Sequence, residues 1–225
     1  MFSKKKPYLS TALAKTRSCL RITSICSMLS LVLFTACSSH STSKHGSLTI
    51  SDSLTANELS SLRSGDIIFR MGYGALSLSI AGMLNDTIAL SHCGIIAKDS
   101  AGIAVIHTIS PSISSADGMQ QCSIEEFTAD SRENSIAVVR FKHGEGQKIA
   151  NKAAYYLSRR VPFDTSFDLA DSSAFFCSEL PIRILKDEFG FELLPEEEVI
   201  GNSSYKFSLF FNPQHFQTIV YHLFR

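Results

Sequence analysis

An α+β fold with a mostly antiparallel sheet is predicted by three observations on this 225-residue chain. Strand-like segments rich in β-branched residues cluster in the middle. Two of them flank Asp99-Ser100-Ala101-Gly102, a turn-forming run of the kind a hairpin needs. Segments with helical spacing stand before and after the strands.

The elements follow in chain order. Thr55-Ala56-Asn57-Glu58 is a capping-box pattern and opens a short helix before Gly65. Gly65 to Arg70 reads as a strand, and Ala75 to Leu84 as a helix. Leu90 to Lys98 and Ile103 to Ile109 read as the two hairpin strands. Ser123-Ile124-Glu125-Glu126 repeats the capping box and opens another short helix. Ser135 to Phe141 is a strand. Gly146 to Arg159 is a helix, with Ala150, Ala153, Ala154 and Leu157 at helical spacing, and Ser178 to Phe189 is a further helix. Beyond it the chain is Phe-rich, and its periodicity does not choose between helix and strand.

Residues 1–36 hold six basic residues and no acid, and Ile22 to Ala36 is an apolar run of 15 residues. That run suits the hydrophobic part of a signal peptide and is short for a membrane-spanning helix. Ser38 to Ser53 is Ser-rich without hydrophobic period and reads as a flexible tether. The organisation expected is a leader over 1–36, a tether over 37–53 and one domain over 54–225. The whole chain balances 21 basic against 21 acidic residues. Without the leader it is mildly acidic, which gives no electrostatic case for nucleic acid.

Of six cysteines, Cys19 and Cys26 fall in the leader and Cys37 directly follows it, leaving Cys93, Cys122 and Cys177. An odd number in an exported chain leaves at least one free thiol. No CxxC pair and no HExxH helix is present, so neither a metal nor another cofactor is expected. The informative segments are Ser91-His92-Cys93-Gly94-Ile95 and Phe175-Phe176-Cys177-Ser178-Glu179. Pro181 must lie in the first turn of its helix, so Cys177 sits at or just before the helix start, where N–H groups and the helix dipole favour a thiolate. His92 would take the thiol proton. A two-residue turn Asp99-Ser100 would set His92 opposite His107, and a four-residue turn from Asp99 to Gly102 would set His107 opposite Gly94. Both put the imidazoles on one face, whereas odd turns separate them. His107 would then orient His92. Alternation turns Cys93 away from His92, as a small core residue.

Two resemblances rest on these residues. Leu33-Phe34-Thr35-Ala36-Cys37 resembles a bacterial lipobox, which implies lipidation at Cys37 and membrane attachment through it, in the cell envelope, at an outer membrane and facing the periplasm. Gly65-Asp66-Ile67-Ile68-Phe69, Ser91-His92-Cys93-Gly94-Ile95, and Pro162-Phe163-Asp164 leading to Phe176-Cys177-Ser178-Glu179-Leu180 resemble, in order, the circularly permuted papain-like cysteine hydrolases of the NlpC cell-wall hydrolase superfamily, YiiX/YaeF-like branch. The resemblance implies a papain-like fold with the cysteine helix packed on the sheet, Cys177 as nucleophile and His92 as base. Relatives often hold Glu at the third position, where this chain has His107-Thr108, closer to the lecithin–retinol acyltransferase branch. The substrate expected is a cell-wall peptide or an acylated lipid. The alternative is a non-catalytic lipoprotein that binds peptide or lipid. No oligomeric state follows.

Three other motifs are set aside. Gly72-Tyr73-Gly74 lacks the third glycine of a dinucleotide fingerprint, where Ser77 stands. Ser203-Ser204-Tyr205-Lys206 has no companion SDN or KTG motif. Glu196-Glu197-Glu198 reads as a solvated run.

Overall fold

The computed structural model describes residues 53–168, 171–193 and 206–223. The leader, Cys37 and all but the last residue of the tether lie outside the described residues, as do Glu196-Glu197-Glu198 and Ser203-Ser204-Tyr205. The elements are α1 (Ala56–Ser61), β1 (Ile67–Gly72), α2 (Gly74–Leu84), β2 (His92–Asp99), β3 (Gly102–Ile109), β4 (Gly118–Ser123), α3 (Ile124–Ala129), β5 (Ser131–Phe141), α4 (Gly146–Ser158), α5 (Glu179–Phe189), a 3-10 turn (Phe207–Phe211) and β6 (Phe216–Leu223). The six strands form one sheet in the order β4-β3-β2-β1-β5-β6, with every neighbouring pair antiparallel. The α+β expectation is met. Among the described residues no helix is long and apolar enough to cross a membrane.

Strand alternation sorts the core into two faces. Ile67, Phe69, Cys93, Ile95, Ile106 and Val139 share one core with Leu180, Ile184 and Leu185 of α5, Ile149 and Ala153 of α4, and Phe207 and Phe210 of the 3-10 turn. Their neighbours Ile68, Ile96, Val105, Ile136, Val138 and Val220 join Ile124 and Phe127 of α3 and Leu62. Phe69 meets the rings of Phe207, Phe210 and Phe211 at 5.4–5.7 Å. Each fully buried Phe contributes on the order of 2 kcal/mol by area.

Both predicted capping boxes form: the Thr55 and Ser123 side chains accept the N–H groups of Glu58 and Glu126, whose carboxylates reach back. The β2–β3 register is that of the turn from Asp99 to Gly102, with Lys98 on Ile103, and the ladder runs one pair further. Asp99 pairs with Gly102, leaving Ser100-Ala101 as the turn, and Ile95 pairs with Ile106. Asp99 Oδ1 accepts the N–H groups of Ala101 and Gly102 at 2.7 and 3.2 Å, which closes the turn at that point. This register is still the one that sets His107 opposite Gly94, so the even-turn inference holds. A Cβ at Gly94 would lie 2.5 Å from Val105 Cγ1 and 3.1 Å from His107 Cβ, so glycine lets β3 carry both side chains there.

Three strand features escaped the sequence reading. β4, Gly-Met-Gln-Gln-Cys-Ser, has no β-branched residue and forms as an edge strand paired to β3 alone. β6 completes the other edge. β5 begins at Ser131, where a register shift against β1 lies between Arg70 and Gly72.

Candidate active site

The geometry of the site begins with a parting of strands. β2 starts at His92 and β3 runs on to Ile109, but they pair only from Ile95↔Ile106 to Asp99↔Gly102. Past that point β3 pairs with β4, as in His107↔Gln120. The segment Phe175–Cys177 meets both strands at the opening. Thr108 Oγ1 donates to Phe175 O at 3.2 Å, and the Cys93 thiol donates to Cys177 O at 3.0 Å. Phe175 also bridges Phe163 in parallel.

Cys177 thereby stands just ahead of α5. Ser178 is the N-cap, Glu179 the first helical residue, and Pro181 falls in the first turn as its missing N–H requires. The N–H groups of Glu179 and Leu180 are already turned onto Phe176 O, at 3.1 and 3.2 Å. The thiol of Cys177 is held below its ordinary range, first by the thiol of Cys93 and also by the N–H groups of Ser178 and Cys93, against the opposing effect of burial. The donors are therefore mainly the neighbouring strand and the cap. No histidine is among the causes. Cys93 is buried and its thiol is pushed well above the ordinary range by burial and by Cys177.

The imidazoles lie on the α3 face of the same opening. His92 Nε2 and His107 Nδ1 are 2.8 Å apart, the rings meet edge-to-face at 5.1 Å, and both contact Phe127 at 5.7 Å. Burial pushes His107 down to about 4, aided by the charge of Arg70 and opposed by Asp130. His92 is held well below its ordinary value by burial first, then by His107 and Arg70. Both rings are therefore neutral at pH 7. Arg70, opposite His92 on β1, lies over the Phe127 ring at 4.6 Å and pairs with Asp130 at 3.3 Å.

The structure thus brings His92 and His107 together and sets Cys177 against Cys93, the residue next to His92. It does not close a hydrogen bond between His92 and Cys177: His92 Nε2 is committed to His107, and Nδ1 has no protein partner among the described residues. Cys93 does turn away from His92, but it is more than a packing residue, since it faces the candidate nucleophile. Two residues of the site were not foreseen. Cys122 Sγ lies 3.5 Å from His107 Nε2, and only recognition of β4 would have placed it there. Arg70 ends the segment read as a strand from Gly65, whereas β1 runs from Ile67 to Gly72, and its position beside His92 needed the β1–β2 register.

Glu179 is buried and paired with Arg183 at 3.0 Å. Its Oε2 has no partner, and burial pushes its carboxyl up to about 7. Among the described residues no group of three metal-ligating side chains is suited to hold an ion.

The connections around the opening mix exposed apolar side chains with acidic ones, Asp86, Asp117, Asp164, Asp168 and Asp171. The connections 73–91, 110–117 and 162–178 contain no Lys or Arg. They supply six of the eight large hydrophobic side chains that are exposed among the described residues: Tyr73, Leu76, Leu78, Met83, Ile113 and Phe167.

No protein-family model matches the chain, and no curated protein matches it. Among solved structures it is similar to the crystal structure of the metalloprotein YiiX from Escherichia coli O157:H7, at 22% identity and a TM-score of 0.48, over 58% of this chain and 68% of that one.

Proposed function

We propose that this chain is an envelope-anchored cysteine hydrolase with a permuted papain-like arrangement, acting through an acyl-enzyme on Cys177. The observation that carries the reading is the shared opening between β2 and β3. Cys177 enters it next to Cys93, whose chain neighbour His92 turns one ring nitrogen to His107 and keeps the other free. The sulfur attacks a carbonyl carbon, and its proton goes to His92 Nδ1. His92 Nε2–H is held by His107 Nδ1, which keeps the ring in the accepting tautomer. The N–H groups of Ser178, Cys93 and Cys177 itself are donors available to an oxyanion. His92 then returns its proton to the leaving group, and water releases the acyl group through the same base.

The neutral resting state of both imidazoles matters for timing. Burial first, and then the Arg70 charge, disfavours an imidazolium here, so proton transfer accompanies attack. The exposed Tyr73, Leu76, Leu78, Met83, Ile113 and Phe167 favour an acylated lipid over a cell-wall peptide, with ester as well as amide bonds in reach. Attachment would be through lipidated Cys37 at a bacterial outer membrane, on the periplasmic side. Cys37→Ser should release the protein from the membrane fraction.

The test is incubation of the purified chain with phospholipid vesicles and, separately, with cell-wall peptides, followed by mass spectrometry of the intact protein. An acyl adduct on Cys177, lost in Cys177→Ala, is expected. Turnover that survives Cys177→Ala would exclude this nucleophile. One observation favours a second reading, a non-catalytic binder of peptide or lipid: no hydrogen bond joins His92 and Cys177. On that reading neither substrate leaves an adduct, and both bind reversibly.

A further inference from the structure

At the far end of the histidine pair, away from Cys177, a third group meets His107. Cys122 lies on edge strand β4, paired with Val105, so its side chain shares the α3 face with His107 two residues further along β3. Its sulfur is 3.5 Å from His107 Nε2, and no other described side chain is hydrogen-bonded to that nitrogen. Each neutral imidazole carries one N–H and one lone pair. Across the 2.8 Å bond between His92 Nε2 and His107 Nδ1, a single proton therefore fixes both tautomers at once. If it sits on His107 Nδ1, His92 must be protonated on Nδ1 and cannot act as a base toward Cys177. If it sits on His92 Nε2, then His92 Nδ1 is open, and His107 must carry its own proton on Nε2, facing Cys122.

We propose that Cys122 is a positioning residue: its sulfur accepts the Nε2–H of His107, and this selects the tautomer that leaves His92 Nδ1 free to receive a proton. The inference rests on the hydrolase reading for its purpose, but its geometry and its test do not. It adds a fourth member to the row Cys177, His92, His107, Cys122, with a thiol at each end in opposite roles. The outer thiol only holds an orientation, and burial keeps it protonated, at about 11.

The decisive measurement is the nitrogen-15 chemical shift of the two rings in the full chain at neutral pH, which separates protonated from bare ring nitrogens without reference to turnover. The expected result is a bare Nδ1 on His92 and a protonated Nε2 on His107. A bare Nε2 on His107 would overturn the proposal. Cys122→Ala should mix the tautomers, and Cys122→Ser, which keeps an acceptor, should restore the wild-type pattern. Cys122 is half-buried on an edge strand, and circular dichroism checks that both variants fold. In turnover, Cys122→Ala should lower kcat five- to tenfold at unchanged KM, the weight of about one hydrogen bond, with recovery in Cys122→Ser. Unchanged tautomers and unchanged kcat in Cys122→Ala would reduce Cys122 to packing. A protein with the expected tautomers and no turnover would refute the hydrolase reading and leave this inference standing.

Discussion

On the α5 side of the sheet, Cys177 meets a neighbouring thiol and backbone N–H groups, and its own thiol is drawn down. On the α3 side, Cys122 meets a neutral imidazole and the carboxylates of Glu126 and Asp130, and its thiol is pushed up to about 11. Arg70 alone works the other way on Cys122, and burial outweighs it. Cys122 ends the row that His92 and His107 form, and Cys177 lies across the sheet against Cys93, so the difference lies in which donors each sulfur finds. Burial raises both thiols, and only hydrogen-bond donors reverse it. A positive charge nearby is less effective here than a few well-placed N–H groups.

The largest expected effect tests this contrast directly. Cys177→Ala should lower kcat by about 10³-fold or more, whereas Cys122→Ala costs tenfold at most. Equal losses in steady-state assays would erase the asymmetry between the faces. Next is the buried carboxyl beside the nucleophile. Glu179 has a folded value of about 7 against 4.5 for the model carboxyl, so the folded chain keeps its proton where the unfolded chain has lost it. Its contribution to stability is therefore fully present below about pH 4.5 and is lost as pH rises through about 7, amounting to roughly 3 kcal/mol. Denaturant titrations across that range should show the slope in the wild type and a flatter line in Glu179→Gln.

His107→Ala should reduce kcat by about 10²-fold while leaving alkylation of Cys177 below the ordinary thiol range intact, because the thiol is lowered by Cys93 and N–H groups. Iodoacetamide rates against pH would show it, and loss of that reactivity in His107→Ala would tie the two faces more tightly than described. Gly94→Ala should destabilise by about 2 kcal/mol through the clash with Val105 and His107, read as a lower denaturant midpoint. The smallest effect is Cys93→Ala. The Cys177 alkylation profile should move to higher pH, since the first cause of its lowering is gone. An unmoved profile would assign that lowering to the N–H groups alone.

The imidazole pair was legible in the sequence because alternation and an even turn fix its geometry locally. The register is the one expected of the Asp99–Gly102 turn, with the ladder one pair longer because Asp99 caps Ser100-Ala101. The start of α5 was legible for a similar reason, as Pro181 tolerates only the first turn. The side of Cys93 was legible too, but its meeting with Cys177 was not, because that contact joins residues 84 apart. Cys122 was hidden because β4 gains its strand character from pairing to β3, not from its own Gln-rich sequence. The source of the thiol's lowering was read in part: N–H groups at the helix start do contribute, through Ser178 and Cys177, while those of Glu179 and Leu180 are turned onto Phe176 O and the first cause is the thiol of Cys93.

The parting of β2 and β3 also sets an order of assembly. The histidine pair spans 15 residues and closes with the hairpin turn, whereas Cys177 reaches Cys93 only after 84 further residues have been made and threaded back. A chain emerging N-terminus first therefore builds the histidine pair early and receives Cys177 late. Until Phe175–Cys177 docks, both thiols are exposed to any oxidant in the compartment. The interval between hairpin closure and docking is when the protein is chemically most vulnerable.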